Sequence, residues 1–237
     1  METADLKGSP PQVTDQARRL LLAYLSTAEA QSLPYSKLAR ALANGEVTAQ
    51  MGMIAHEEVL KSPPDAYRDA ACASGCAFCC ILSGEDGGTI TGAEAARMHA
   101  ALAPLAGQPD GRDWHAFACP SLDPVTRTCR AYDARPIICR SFFSTDAAAC
   151  EENANGGEAD GAAVLSSHLI YLAMHGLIRL ALAGVIKVPS YSLARLAAGA
   201  FSGHSLEHSL TAARHPPRML DDARKGSGVA LARARRR

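Results

Sequence analysis

Aromatic side chains are scarce in this sequence: five Phe, six Tyr and one Trp make up 5% of 237 residues. Sheets rely on aromatic and β-branched residues, so this shortage, beside abundant Ala and Leu, points to helices. Net charge is missing as well. Twenty-four Lys and Arg balance twenty-four Asp and Glu, and nothing global advertises nucleic acid or an acidic partner. No apolar run suits a bilayer. The most hydrophobic stretch, Leu169 to Ile186, falls short of the ~20 residues a span needs and carries His175 and Arg179 near its middle. It reads as a buried core helix, and no membrane partner is expected. Met1 to Asp15 is polar, without the apolar core or cleavage site of a secretory signal, so the expected address is cytoplasmic. Phosphate loop, dinucleotide-binding glycine pattern, Gly-x-Ser-x-Gly elbow and His-Glu-x-x-His are all absent.

Thiols are absent from both flanks, because all eight cysteines lie between Cys72 and Cys150. Four of them, Cys72, Cys76, Cys79 and Cys80, fall within nine residues; Cys119, Cys129, Cys139 and Cys150 follow at wider intervals. In a reducing compartment such cysteines persist as thiols or metal ligands, and the adjacent pair Cys79-Cys80 cannot easily satisfy disulfide geometry with each other. Thiolate is a soft ligand that selects zinc, copper(I) or iron–sulfur chemistry. Spacings of two and three residues let the sulfurs of one loop converge on one centre, so all eight cysteines are candidate metal ligands. Zinc and iron, including a [4Fe-4S] cluster, stay open as the cofactor, since both take tetrahedral sulfur.

The rest of the chain reads as helical scaffold. Residues 1–13 are expected to be a disordered leader, and 14–62 an N-terminal helical unit with breaks at Pro34 and at Asn44-Gly45. Residues 63–150 form the cysteine region. Inside it, Thr91-Gly-Ala-Glu94 is a capping box opening a helix, and Cys119 to Cys129 looks like a small hairpin. Residues 151–161 are an acidic, Gly-rich loop, 162–217 are helices packing on the scaffold, and 218–237 are a basic tail expected to be disordered, with seven Lys and Arg against two acids. The fold class is therefore mainly α, a helical bundle framing an irregular Cys-rich metal-binding loop region.

Other side chains near the thiols have readings of their own. Arg135 and Arg140 are placed to neutralise a thiolate centre; equally, Arg135 serves to fix the turn before Pro136 by pairing with Asp123 or Asp133. Tyr132 is expected to pack, and His115 is the best nitrogen ligand on offer. His168 and His175 are expected in the core, and His204 and His208 at the surface.

Cys76-Ala-Phe-Cys79-Cys80, then Cys119-Pro-Ser-Leu-Asp123, then Cys129-Arg-Ala-Tyr132-Asp-Ala-Arg135-Pro136-Ile-Ile-Cys139-Arg140 resemble the YkgJ-type cysteine-cluster family of zinc- or iron-chelating proteins. The family pattern opens Cys-x2-Cys-x2-Cys-Cys, whereas the first gap here holds three residues, Ala73 to Gly75. Cys150 resembles a late cysteine of some relatives. The resemblance implies metal chelation. Flagellin lysine methylases carry a similar cluster, which implies an alternative: a cluster-dependent enzyme acting on a protein or peptide, although no separate methyl-donor motif is present. A helical adaptor for a protein partner is the third expectation.

Overall fold

The computed structural model describes residues 6–82 and 86–234, with side chains up to 226. Residues 1–5 of the expected leader and 235–237 of the basic tail lie outside the described residues. The order is α1 (Pro11–Ala30), α2 (Tyr35–Asn44), α3 (Glu46–Lys61), α4 (Asp65–Arg68), β1 (Thr89–Ile90), α5 (Gly92–Leu102), α6 (Ile137–Ser141), β2 (Phe142–Ser144), α7 (Ala147–Ala154), β3 (Ala162–Val164), α8 (Ser166–Ala181), β4 (Tyr191–Ser192), α9 (Leu193–Phe201), α10 (Leu206–Ala213) and α11 (Arg218–Ala234). The architecture is mainly α, with an irregular cysteine segment between the helices.

The apolar run is the central helix. Every residue of α8 from Ser167 to Ile178 is buried, because α1, α3, α6 and α11 pack around it. One core joins α8 to α1 and α3 through residues such as Leu21, Val47, Leu169, Met174 and Leu177. A second core joins α5 and α9 through Ile90, Met98, Leu102, Leu196 and Phe201. Among the described residues no helix is long and apolar enough to cross a membrane.

Gly45 joins α2 to α3. It is the left-handed C-cap of the first (φ 84°) and the residue before the second. A Cβ there would overlap the Thr91 side chain at the start of α5, so strain and collision act together. Gly45→Ala is expected to destabilise the chain by at least about 2 kcal/mol, read as a lower urea midpoint at unchanged slope.

The two histidines of α8 carry a pH dependence. Both are buried, and burial pushes each imidazole down to about 4 from the usual 6.5. His175 Nε2 lies 3.1 Å from the Pro189 carbonyl and donates its N–H there, leaving a buried Nδ1 with no partner. Protonation would create a donor facing no acceptor. The folded state favours the neutral rings, so this stability is present above pH 6.5 and is lost as pH falls towards 4, by on the order of 3 kcal/mol per ring. Urea midpoints at pH 7 and pH 4.5 should show the drop, and His175→Gln should shrink it.

Three features differ from the sequence reading. The 218–237 tail is helical over Arg218–Ala234, because Leu220 is buried against Ile137, Tyr171 and Leu172. The leader is tied down: Leu6 is buried in the first core, and the Arg224 guanidinium donates to the Lys7 carbonyl (3.0 Å). Finally, α7 runs into the first four residues of the expected acidic loop, 151–154, and places Cys150 on a helix.

Two short ladders close the cysteine segment. β1 pairs antiparallel with β4, Ile90 opposite Tyr191, and β2 pairs antiparallel with β3, Phe143 opposite Ala163. At two and three residues they are too short to carry a sequence period. Each pins one end of a cysteine-bearing stretch to the helices.

Candidate metal centre

Gly75, at φ 80°, turns the chain so that the Cys76 N–H donates to the Ala73 carbonyl (3.0 Å), and a 3-10 turn over Phe78–Cys80 follows. The strand-like segment after it runs beside residues 117–119: Ile81 bridges to Ala118, and the Cys119 N–H donates to the Cys80 carbonyl at 2.7 Å. The front loop and the first late cysteine are therefore joined through backbone.

Cys119 to Cys129 is the expected hairpin. Leu122 bridges to Cys129, and the Asp123 carboxylate accepts the N–H groups of Val125 (3.0 Å) and Thr126 (2.8 Å). Arg127 takes the left-handed conformation (φ 57°) that lets this loop close. The sequence pairing of Asp123 with Arg135 is thereby corrected, since Asp123 is spent on its own turn. A 3-10 turn, Tyr132–Ala134, leads through Pro136 into α6, which carries Cys139.

Arg140 has a backbone role. Its Nε donates to the Arg135 carbonyl (2.8 Å) and Nη2 to the Asp133 carbonyl (2.6 Å), so it fastens the turn ahead of Cys139 and does not line the thiol cavity. Arg135 does line it, with its guanidinium 3.6 Å over the Tyr132 ring. Tyr132 is exposed instead of packed inside, since its ring serves as a platform for this cation.

Together these segments enclose a cavity of about 260 Å³ whose wall includes Cys76, Cys79, Cys80, Cys119, Cys129 and Cys139. Six thiols from four separate stretches thus face one space, together with Arg127 and Arg135. Cys79 is exposed at its edge and Cys119 is buried. The sulfurs do not all touch: Cys79 and Cys80 lie 4.0 Å apart, and among the described residues no three His, Cys, Asp or Glu side chains gather tightly enough to hold a single ion.

Cys72 and Cys150 lie outside the cavity wall. The Ser144 N–H on β2 donates to Cys72 Sγ (3.4 Å), and Cys150 is buried on α7, which packs against the Phe78–Cys80 turn. His115 does not line the cavity either, and its Nδ1 accepts the Phe117 N–H at 3.2 Å. His168 and His175 stay in the helical core.

Burial governs the thiols. It pushes Cys119 up to about 11 and raises Cys129, and it lifts Cys139 well above the ordinary range, with neighbouring thiols adding to the last. In the vicinal pair the hydrogen bond favours one charge: Cys79 is lowered to about 7 while Cys80 rises. The thiols that resist ionisation, Cys80, Cys119, Cys129 and Cys139, are costly to charge without a cation, and a soft cation removes that cost by coordination. The donor set therefore fits a thiophilic metal.

The supporting residue that composition alone would not single out is Glu94. It closes the capping box with Thr91, accepting that residue's N–H at 3.0 Å. It also accepts the Ile137 N–H at 3.0 Å and the Tyr171 hydroxyl. One buried carboxylate so binds α5, α8 and the first residue of the helix that carries Cys139.

Residues 71–157 match the family model CxxCxxCC, described as "Putative zinc- or iron-chelating domain", and the matched span contains all eight cysteines. No curated protein and no solved structure matches the chain.

Proposed function

We propose that this chain is a cytoplasmic metal-binding protein that holds a polynuclear iron–sulfur centre. Its ligands are drawn from Cys76, Cys79, Cys80, Cys119, Cys129 and Cys139, and Cys72 and Cys150 stand outside it. The observation that carries the reading is the single cavity into which six thiols face without converging on a point. A tetrahedral zinc site with Zn–S near 2.3 Å requires sulfurs about 3.8 Å apart. The vicinal pair Cys79 and Cys80, at 4.0 Å, comes near that, but among the described residues no third ligand joins them to complete a site. A cluster of several irons spreads its protein sulfurs farther apart. The space agrees: about 260 Å³ is roughly nine water volumes, more than one ion fills.

The chain's own contribution is a fixed set of soft donors, a cation beside them and a partly dry wall. Arg135 sits near the thiols whose negative charge grows on metal binding, and it favours their ionised forms. The centre, when bound, supplies electron transfer or Lewis acidity. Cys79 reaches the surface, which leaves that chemistry accessible to a reactant or partner. The visible spectrum of protein isolated without oxygen tests the reading: a brown colour bleached by dithionite supports it, and colourless zinc protein overturns it.

A further inference from the structure

A second opening lies away from the thiols. It is a groove of about 1070 Å³ bounded by α2 and α3 on one side and by α5, the 186–191 segment and the end of α10 on the other, with no cysteine in its wall. Small residues floor it, among them Ala49, Ala93 and Ala96, so another backbone can approach closely. Ile54 and Ile186 line it and are 45% and 37% exposed, beside the half-buried Met53.

The charge on this groove is one-sided although the whole chain is neutral. Arg40, Arg97, Lys187 and Arg214 line it against two carboxylates, Glu46 and Glu57. Glu46 is already engaged by the Asn44 amide at 2.8 Å. Among the described residues none of the four cations belongs to an ion pair. Four cations beside an apolar floor call for an occupant with a carboxylate face and an aliphatic face.

From this complementarity we infer that the groove docks an acidic amphipathic helix of a partner protein. Its aliphatic side chains lie on the Ala floor and against Ile54 and Met53, and its carboxylates meet the cationic rim. Helix-in-groove recognition of this kind reads anchors at helical spacing, and the rim charges steer the encounter. The surface is independent of the proposed cluster, so its test does not depend on metal.

The test is fluorescence anisotropy of the full chain with a labelled synthetic helical peptide bearing Glu on one face and Leu and Ala on the other. A scrambled peptide of the same composition is the comparison. Preferential binding of the patterned peptide, several-fold weaker at high salt, is expected. Arg97→Glu combined with Lys187→Glu should weaken it about tenfold or more, and Ile54→Asp should do the same. Both sets of changes are at exposed positions, and an unaltered far-ultraviolet circular dichroism spectrum and urea midpoint will show that the fold is intact. No binding, equal binding of the scrambled peptide, or indifference to the substitutions overturns the proposal. So does concentration-dependent dimerisation abolished by Ile54→Asp, which would make a second copy the occupant.

Discussion

Serine in place of Cys139 is expected to leave a folded chain with less than about a tenth of its metal, because a hydroxyl is a hard, poorly ionised donor where a soft thiolate is needed. Cys139 sits on α6 at the end of a chain of constraints. Glu94 holds the Ile137 N–H, Arg140 fastens the carbonyls of Asp133 and Arg135, and the resulting turn aims this sulfur at the thiols of the front loop. Cys119→Ser should act in the same way, since its backbone is joined directly to Cys80. Cys72→Ser and Cys150→Ser should keep most of the metal, because neither residue lines the cavity. Iron and sulfide analysis of the four variants, with circular dichroism to verify folding, checks this. Equal loss in all four would place every cysteine in the centre and contradict the division made here.

Glu94→Ala should produce the largest loss of stability of any single change outside the cysteines. It removes the acceptor for four buried donors, the Thr91 and Ile137 N–H groups and the Thr91 and Tyr171 hydroxyls, each at a cost of about 1–3 kcal/mol when left unpaired. It also removes half of a capping box. The expected total is on the order of 4 kcal/mol or more, a large part of the 5–15 kcal/mol typical of a whole domain. Tyr171→Phe, which leaves Glu94 its backbone donors, should cost only about 1–2 kcal/mol. Urea unfolding of both variants and the double mutant would give the coupling. Because Ile137 starts the Cys139 helix, Glu94→Ala should lower metal content as well, and Tyr171→Phe should not.

These two predictions divide what was legible in the sequence from what was not. The Cys119–Cys129 hairpin and the Thr91–Glu94 cap are local patterns whose partners lie within about ten residues, and both stand in the structure as read. The reach of Glu94 to Ile137 and Tyr171 was not legible, because it joins residues 43 and 77 positions apart. The same holds for Leu220, whose burial packs the start of the expected tail as a helix, and for Leu6, which joins the core around α8. Arg140 illustrates a different limit. Its spacing from Cys139 suggests a role facing the metal, yet the carbonyls of the preceding turn lie closer and take its donors. Cys72 and Cys150 belong to the cluster by sequence but lie outside the cavity wall, Cys72 hydrogen-bonded to β2 and Cys150 on α7 within electrostatic reach of Cys72, Cys76 and Cys79.

The measurement that bears most directly on the central claim is the count of iron, acid-labile sulfide and zinc per chain in protein isolated without oxygen. Iron and sulfide in equal, several-atom amounts, with little zinc, are the expected result. One or two zinc ions without sulfide, or a folded chain with no metal and every thiol open to alkylation, would contradict it.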